Sequence, residues 1–259
     1  MPGPTEISPT SLARLIGTPD APVMFDVCVD ADFAEDPRLI PGSRRVAHDA
    51  LEGALPALSA RPVVVICQKG KKLSHGAAAL LRSHGHRAET LKGGIEAWRD
   101  AGLPLLPAEA MPERPIWVTR QRPRIDRIAC PWLLRRFVRE DTRILLVPPP
   151  DVLAVAERFG ATALDAPGAP FADAAGRTTF DALLGHLRLA TPALEAMAEV
   201  IRAADLGGDH PLAPGLNALS VGLSRMYRDD GAQLEAALPL FDALYRWARD
   251  GQAESHGHG

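Results

Sequence analysis

Four consecutive β-branched residues, Val63-Val-Val-Ile66, run without a polar break into Cys67 and a short cationic loop, Gln68-Lys-Gly-Lys-Lys72. Leu73-Ser74 and the run Ala77-Ala-Ala-Leu-Leu81 follow and read as a helix. An apolar run that stops at a turn predicts a strand buried on both faces, the kind found in parallel sheets with helical crossovers. Cys67 is therefore expected where a strand gives way to a helix. Backbone N–H groups of such a loop and of the first helical turn converge there, and the helix dipole adds partial positive charge. Lys69, Lys71 and Lys72 add full charges. A thiol in that place is set up as a nucleophile, and an anion beside it has a cradle. The plain alternative is a small buried hydrophobe, as most isolated cysteines ending an apolar run are. The conjunction of strand, cysteine, Gly-containing cationic loop and helix favours the functional reading.

Elements before and after this stretch alternate in the same way. Ser8 to Ile16 reads as a helix capped by Ser8 or Thr10, with Pro9 suited to its first turn. Val23 to Val27 is a buried strand that carries Asp26 at its carboxyl end, the edge of an open α/β sheet where ligands bind. The simpler role for Asp26 is a carboxylate accepting loop N–H bonds. Pro41-Gly42 is a turn, Leu51 to Leu58 a helix, Arg87 to Leu91 a strand, and Gly93-Gly94 opens a helix through Trp98 to Ala101. Strands alternating with helices predict a parallel sheet with helices on both faces.

Cys67 to Lys72 resembles the six-residue active-site loop of the rhodanese family of sulfurtransferases, with the nucleophile first and a Gly fourth. Asp26-Val27, Ile40-Pro-Gly-Ser43 and Gly93-Gly-Ile-Glu-Ala-Trp98 resemble three further motifs of that family in the right order, and the resemblance covers about residues 8 to 106. It implies a Cys67 persulfide, held by loop N–H groups from Gln68, Lys69, Gly70, Lys71, Lys72 and Leu73, with Asp26 nearby. It also implies a small anionic sulfur donor such as thiosulfate and a thiol acceptor. Lys72 stands where many members carry Arg, and Cys28 where Arg commonly follows Asp-Val. A point charge replaces a bidentate fork at residue 72.

A chain of 259 residues exceeds a usual single core, so two domains are expected. With 46% hydrophobic and 24% charged residues the composition is that of a soluble globular protein. Net charge of −3 implies no overall attraction to nucleic acid or an anionic membrane. No apolar run approaches the length of a membrane span. The opening Met1-Pro-Gly-Pro-Thr-Glu6 lacks the basic and apolar regions of a secretory leader. Cys28, Cys67 and Cys130 are too few and too scattered for a disulfide scaffold or a Cys-rich zinc site. The expectation is a reducing cytoplasm, with no cofactor and no resident metal.

Leu103 to Pro115 holds four prolines in thirteen residues and reads as an extended linker that does not pair in a sheet. The expected division is a domain over 1–106, a linker over 107–115, a second domain over 116–250 and a disordered tail over 251–259. In the second domain Ile116 to Thr119, Ile144 to Val147 and Thr162 to Leu164 read as strands. Val152–Phe159, Phe180–Arg188, Pro192–Ala204, Leu216–Tyr227 and Ala232–Arg249 show helical apolar spacing. The expected fold is therefore an α/β domain, rhodanese-like by resemblance, followed by a mostly helical α+β domain.

From Arg120 to Arg143 there are eight arginines and three acids. Asp126 is a plausible helix cap, and Pro131 is tolerable if it lies in the first turn. Cys130, Leu133, Leu134, Phe137 and Val138 then share an apolar face, while Arg127, Arg135 and Arg139 share another. The arginine stripe has three readings: a solvated face, a phosphate-tracking surface, or an oxyanion site built on Arg127, Cys130, Arg135 and Arg136. Overall acidity and the lack of interleaved aromatics count against nucleic acid. Cys130 has the plain alternative of a core thiol. Asp205-Leu-Gly-Gly-Asp-His210 and His256-Gly-His258 gather metal-capable side chains, with a capped surface loop and an adventitious tail as their simpler readings.

Trp117 to Phe137, with Leu145-Leu-Val-Pro148, Phe180-Asp181, Ile201 to Asp205 and Tyr245-Arg-Trp247, resembles the C-terminal domain of the chromate-resistance protein ChrB family over about residues 115 to 250. The resemblance implies a link to chromate sensing and resistance, and some members carry a rhodanese-like domain in front. This chain has Asp173 and Thr178 about where a His and a Cys precede the Thr/Ser-Phe pair in that pattern. Two functions follow: a Cys67 sulfurtransferase, or a chromate or redox sensor that binds oxyanion without turnover. A reductase or phosphatase of the same fold is implied, by resemblance, to use a loop one residue longer. Oligomeric state is left open.

Overall fold

The computed structural model describes residues 5–58, 61–172 and 176–252. The chain divides into two compact units, one of Met1–Met111 with Arg136–Arg139 and one of Pro112–Arg135 with Glu140–Gly259. Asp173, His256 and His258 lie outside the described residues.

The first unit runs β1 (Glu6–Ile7), α1 (Pro9–Leu15), β2 (Val23–Asp26), α2 (Asp30–Glu35), β3 (Arg38–Leu39), β4 (Ser43–Arg45), α3 (Leu51–Ala54), β5 (Val63–Ile66), α4 (Lys72–Ser83), β6 (Ala88–Leu91), α5 (Gly94–Asp100) and β7 (Leu106–Pro107). Five strands form one parallel sheet in the order β1-β6-β5-β2-β4, so the Val63–Ile66 run lies at its centre. All four residues of β5 and all four of β2 are buried, as strands covered on both faces require. Val23, Phe25, Val63 and Val65 share one core cluster with Leu51, Ala77, Ala78 and Leu81. The Ser8 hydroxyl accepts the Ser11 N–H and caps α1, with Pro9 in its first turn.

Sequence reasoning missed the short, polar pieces α2, β3 and β4. It also misread the Pro-rich segment, whose Leu106–Pro107 pairs antiparallel with β3. A two-residue edge pairing asks no donor of Pro107, and the neighbouring Ala108 N–H reaches the Pro37 carbonyl at 2.9 Å. Leu105, Leu106 and Ala110 are buried. Apolar side chains here outweigh the prolines.

The second unit runs β8 (Ile116–Arg120), α6 (Ile125–Leu133), β9 (Arg143–Val147), α7 (Val152–Phe159), β10 (Thr162–Ala163), α8 (Thr179–Leu187), α9 (Pro192–Leu206), α10 (Ala213–Met226) and α11 (Asp230–Arg246). A three-stranded parallel sheet, β10-β8-β9, precedes a helical majority, in line with expectation. Val118 packs with Val152, Ala156 and Ala163 on one face. α6 packs against α8, α9 and α11. Its Trp132 is fully buried and donates its indole N–H to Asp242 at 2.8 Å.

Two expectations about α6 fail. Helix α6 starts at Ile125 without a side-chain cap, so Asp126 is not its cap, and Pro131 lies seven positions in rather than in the first turn. Directly after α6 the helix widens into a π-helical turn, Leu134–Val138. No helix among the described residues is long and apolar enough to cross a membrane.

Candidate active site

Cys67 follows β5 directly and is 5% exposed. Its Sγ accepts the Lys71 N–H at 3.4 Å and lies 3.2 Å from the Ser74 hydroxyl, to which the thiol donates. Ser74, fully buried in the first turn of α4, donates in turn to the Lys71 carbonyl at 3.1 Å. The sulfur is thus held by two groups of the strand-to-helix connection. Sequence reasoning passed over Ser74; its place three residues into α4 was the available signal.

The loop is shaped from a distance. N–H groups of Ile95 and Glu96 donate to the carbonyls of Cys67 and Gln68, each at 3.1 Å. The α5 N-terminus thereby turns the loop carbonyls toward itself. Such an approach leaves no room for side chains where the segments meet. A Cβ on Gly70 (φ +63°) would stand 2.5 Å from the Leu91 carbonyl oxygen and 2.6 Å from the Gly94 nitrogen. A Cβ on Gly94 (φ +62°) would collide with the Cys67 and Gln68 carbonyls. Both glycines also have the left-handed backbone that L side chains rarely adopt. Gly94→Ala is expected to lower the stability of the first unit by about 2–3 kcal/mol through clash and strain together, read in a urea melt.

The other loop residues are placed as follows. Lys69, Lys71 and Lys72 are exposed, Gly70 is buried, and Leu73 is half-buried against the core cluster. The Gln68 side chain donates to Glu35 of α2 at 2.9 Å. Beside it lies a cavity of about 200 Å³ whose lining includes Cys28, Asp32, Glu35, Gln68, Glu96 and Arg99. The carboxylates of Asp32, Glu35, Asp36 and Glu96 line that cavity together with the Arg99 guanidinium.

Asp26 has the simpler of its two roles. Its Oδ1 accepts the Cys28 N–H at 2.9 Å, and its buried Oδ2 has no hydrogen-bond partner. Burial holds its carboxyl above the usual range, with the Cys28 hydrogen bonds and the Arg45 charge pulling the other way. A carboxyl raised in the folded chain binds its proton there longer than in the unfolded chain. The cost of burying its charge is therefore absent below about pH 4 and complete above the folded-state value. Asp26→Asn is expected to gain stability over wild type as pH rises from 4 to 7, with the difference vanishing at low pH, read by thermal unfolding. Arg45, unnoticed in the sequence, donates to the Cys28 carbonyl at 3.1 Å and to Asp30 at 2.8 Å and lies 4.0 Å over the Phe33 ring. It supplies a guanidinium where the Asp-Val-Cys28 triplet lacks one.

Of the four residues read as an oxyanion site, Arg127, Cys130 and Arg135 belong to the second unit and each has a different partner, while Arg136 belongs to the first. Arg127 faces Asp165 at 3.3 Å. Arg135 pairs with Glu235 at 2.6 Å and donates to the Thr142 carbonyl. Arg136 lies in the wide turn beyond α6. Cys130 is 1% exposed and its thiol points to Asp126 at 3.7 Å. Instead, Arg127 shares Asp165 with Arg120, which contacts both carboxylate oxygens at 2.6 Å. Burial lowers the Arg127 guanidinium, and Asp165 offsets this. Trp117 Nε1, Thr119 Oγ1 and Arg120 Nε, all from β8, are buried without a hydrogen-bond partner. Thr178 caps α8 reciprocally with Asp181. Among the described residues no three His, Cys, Asp or Glu side chains are grouped to hold a metal ion.

Two family models match the chain: the ChrB C-terminal domain over residues 117–248 and the rhodanese-like domain over residues 8–101. Protein ChrB of Cupriavidus metallidurans is 32% identical over 132 residues, which are 50% of this chain and 39% of that protein. The chain thus spans about two fifths of the length of that relative. Among solved structures, a thiosulfate sulfurtransferase from Pseudomonas aeruginosa is 32% identical over 42% of this chain and 20% of its own, with a TM-score of 0.35. A rhodanese-like domain protein from Staphylococcus aureus is 21% identical over 36% of this chain and 90% of its own, with a TM-score of 0.33.

Proposed function

Because the chain belongs to the ChrB C-terminal domain family and carries a rhodanese-like domain over residues 8–101, we propose that it is a rhodanese-type sulfurtransferase linked to chromate or oxyanion resistance. The observation that carries this reading is Cys67 at the carboxyl end of the central strand, with the Lys71 N–H and the Ser74 hydroxyl on its sulfur.

In the first half-reaction the Cys67 thiolate attacks the outer sulfur of thiosulfate. A new S–S bond forms, the donor's own S–S bond breaks, and sulfite leaves with the electron pair. The Ser74 hydroxyl, which accepts from the thiol at rest, turns to donate to the thiolate, and the Lys71 N–H stays on the same sulfur. Exposed Lys69, Lys71 and Lys72 attract the dianionic donor, and their effect is expected to fade with salt. In the second half-reaction a thiolate or cyanide takes the terminal sulfur and Cys67 is regenerated, giving ping-pong kinetics.

Purified protein given thiosulfate and cyanide is expected to form thiocyanate catalytically. After thiosulfate alone, it is expected to carry one cyanolysable sulfur per chain. An inert protein with no sulfane sulfur would overturn the reading.

A second reading, an oxyanion sensor, is favoured by Arg120 and Arg127 meeting at Asp165, with the Arg120 Nε buried and without a hydrogen-bond partner. It moves the candidate oxyanion site to that pair, away from Arg135 and Cys130. It is tested by chromate binding to the wild type and to Arg120→Ala; saturable binding without thiosulfate turnover, lost in the variant, would favour the sensor.

A further inference from the structure

Cys67 has a role in the proposed reaction and Cys28 has none, yet the two leave the sheet at neighbouring points. β2 and β5 pair in parallel with Asp26 opposite Ile66, and the Val27 N–H extends the ladder to the Ile66 carbonyl at 2.8 Å. Cys67 follows Ile66 by one residue and Cys28 follows Asp26 by two. Adjacent strands stand about 4.8 Å apart, and disulfides bridge Cα separations of about 4.4–6.8 Å. Both thiols belong to one apolar cluster.

Cys28 is also held in place. Asp26 accepts its N–H and Arg45 donates to its carbonyl, so its backbone is pinned on both sides. Burial, followed by the Asp26 carboxylate, raises its thiol well above the ordinary value, and Cys67 is among the charges that act on it. At rest Cys28 is therefore a protonated thiol. Cys28 lines the cavity of about 200 Å³ beside Gln68, the residue that follows Cys67.

We propose that Cys28 is the resolving thiol of the Cys67 centre, so that oxidation by a hydroperoxide ends in a Cys28–Cys67 disulfide. The inference rests on the reading of Cys67 as a nucleophile. With hydrogen peroxide, the Cys67 thiolate attacks one oxygen, an S–O bond forms, the O–O bond breaks and hydroxide leaves. Sulfur is oxidised by two electrons and the peroxide is reduced. Cys28 sulfur then attacks the sulfenic sulfur, the S–S bond forms, the S–O bond breaks, and the departing hydroxide takes the Cys28 proton as water. Two thiols and one peroxide give one disulfide and two waters. A dithiol reductant reverses the bridge, whereas further oxidation to the sulfinic acid is irreversible to it.

The test uses the reduced chain with both units and an excess of hydrogen peroxide, about three equivalents per chain because the sulfinic acid consumes two, followed by alkylation under denaturing conditions and digestion without reductant. A Cys28–Cys67 linked peptide is expected, with two of the three free thiols lost and Cys130 retained. Cys28→Ala is expected to accumulate Cys67 sulfinic acid at the same dose. Dithiothreitol should restore the wild type to its own untreated thiosulfate rate but leave the variant short of its own. Should Cys28→Ala fold poorly, the linked peptide from wild type decides alone. Sulfinic Cys67 in wild type with Cys28 still a free thiol would overturn the inference. Turnover measured before oxidation separates the two ideas. Turnover without the bridge overturns this inference only, and the bridge without turnover overturns only the sulfurtransferase reading.

Discussion

Cys67→Ser is expected to reduce thiosulfate-dependent thiocyanate formation by roughly three orders of magnitude or more, because it removes the only group that bonds to the transferred sulfur. The substitution is close to isosteric, and the site it enters is already polar: the Lys71 N–H and the Ser74 hydroxyl can both bond a serine oxygen. Folding should therefore be preserved, and a thermal melt that matches wild type makes the loss a chemical one. Cys130→Ser supplies the contrast. That thiol lies in α6 and faces Asp126 rather than the loop, so turnover should be unchanged. Equal loss in both variants would show that the assay follows general thiol damage, and retained turnover in Cys67→Ser would remove the persulfide from the mechanism.

Asp126→Ala is expected to destabilise the second unit by about 4 kcal/mol, the largest effect on stability foreseen for this chain. Asp126 is 3% exposed, and its two oxygens accept the Thr179 and Phe180 N–H groups at 3.0 and 2.9 Å. These are donors of the first turn of α8, to which no intrahelical carbonyl is available. Removal of the carboxylate strands two buried N–H groups at about 1–3 kcal/mol each and loses charge-assisted bonds. Asp126→Asn retains one acceptor and is expected to recover about half of the loss. The measurement is a denaturant melt of both variants; a change under about 1 kcal/mol in Asp126→Ala would mean that water replaces the carboxylate at that helix end.

Asp126 also shows where reading from sequence stopped. Capping statistics concern a residue and the next three or four, and by that rule Asp126 belonged to its own helix. Its carboxylate instead caps a helix that begins 53 residues later, and nothing local encodes that. The same limit applies to the arginines. Spacing along α6 groups them on one face, but the carboxylate that each one meets is chosen by the fold: Asp165 for Arg127 and Glu235 for Arg135. By contrast, Val63 to Lys72 was legible because strand, turn and helix start are each local preferences that agree. Ser74 was passed over although its place in the first turn of α4 was a local signal. Linker prolines misled because composition weighs chain stiffness and not what Leu105 and Leu106 bury.

The bonds from Ile95 and Glu96 to the loop carbonyls bear on whether the six-residue loop is portable. Those residues come more than twenty positions after Lys72 in the chain, so the fragment 62–83 contains the nucleophile, the lysines and Ser74 but not what bends them. Grafted onto another strand–helix junction, Cys67 to Lys72 would be a cationic turn bearing a thiol. A working transplant must carry β6 and the Gly93-Gly94 turn as well. The smallest inheritable unit of this site is therefore a β-α-β-α segment.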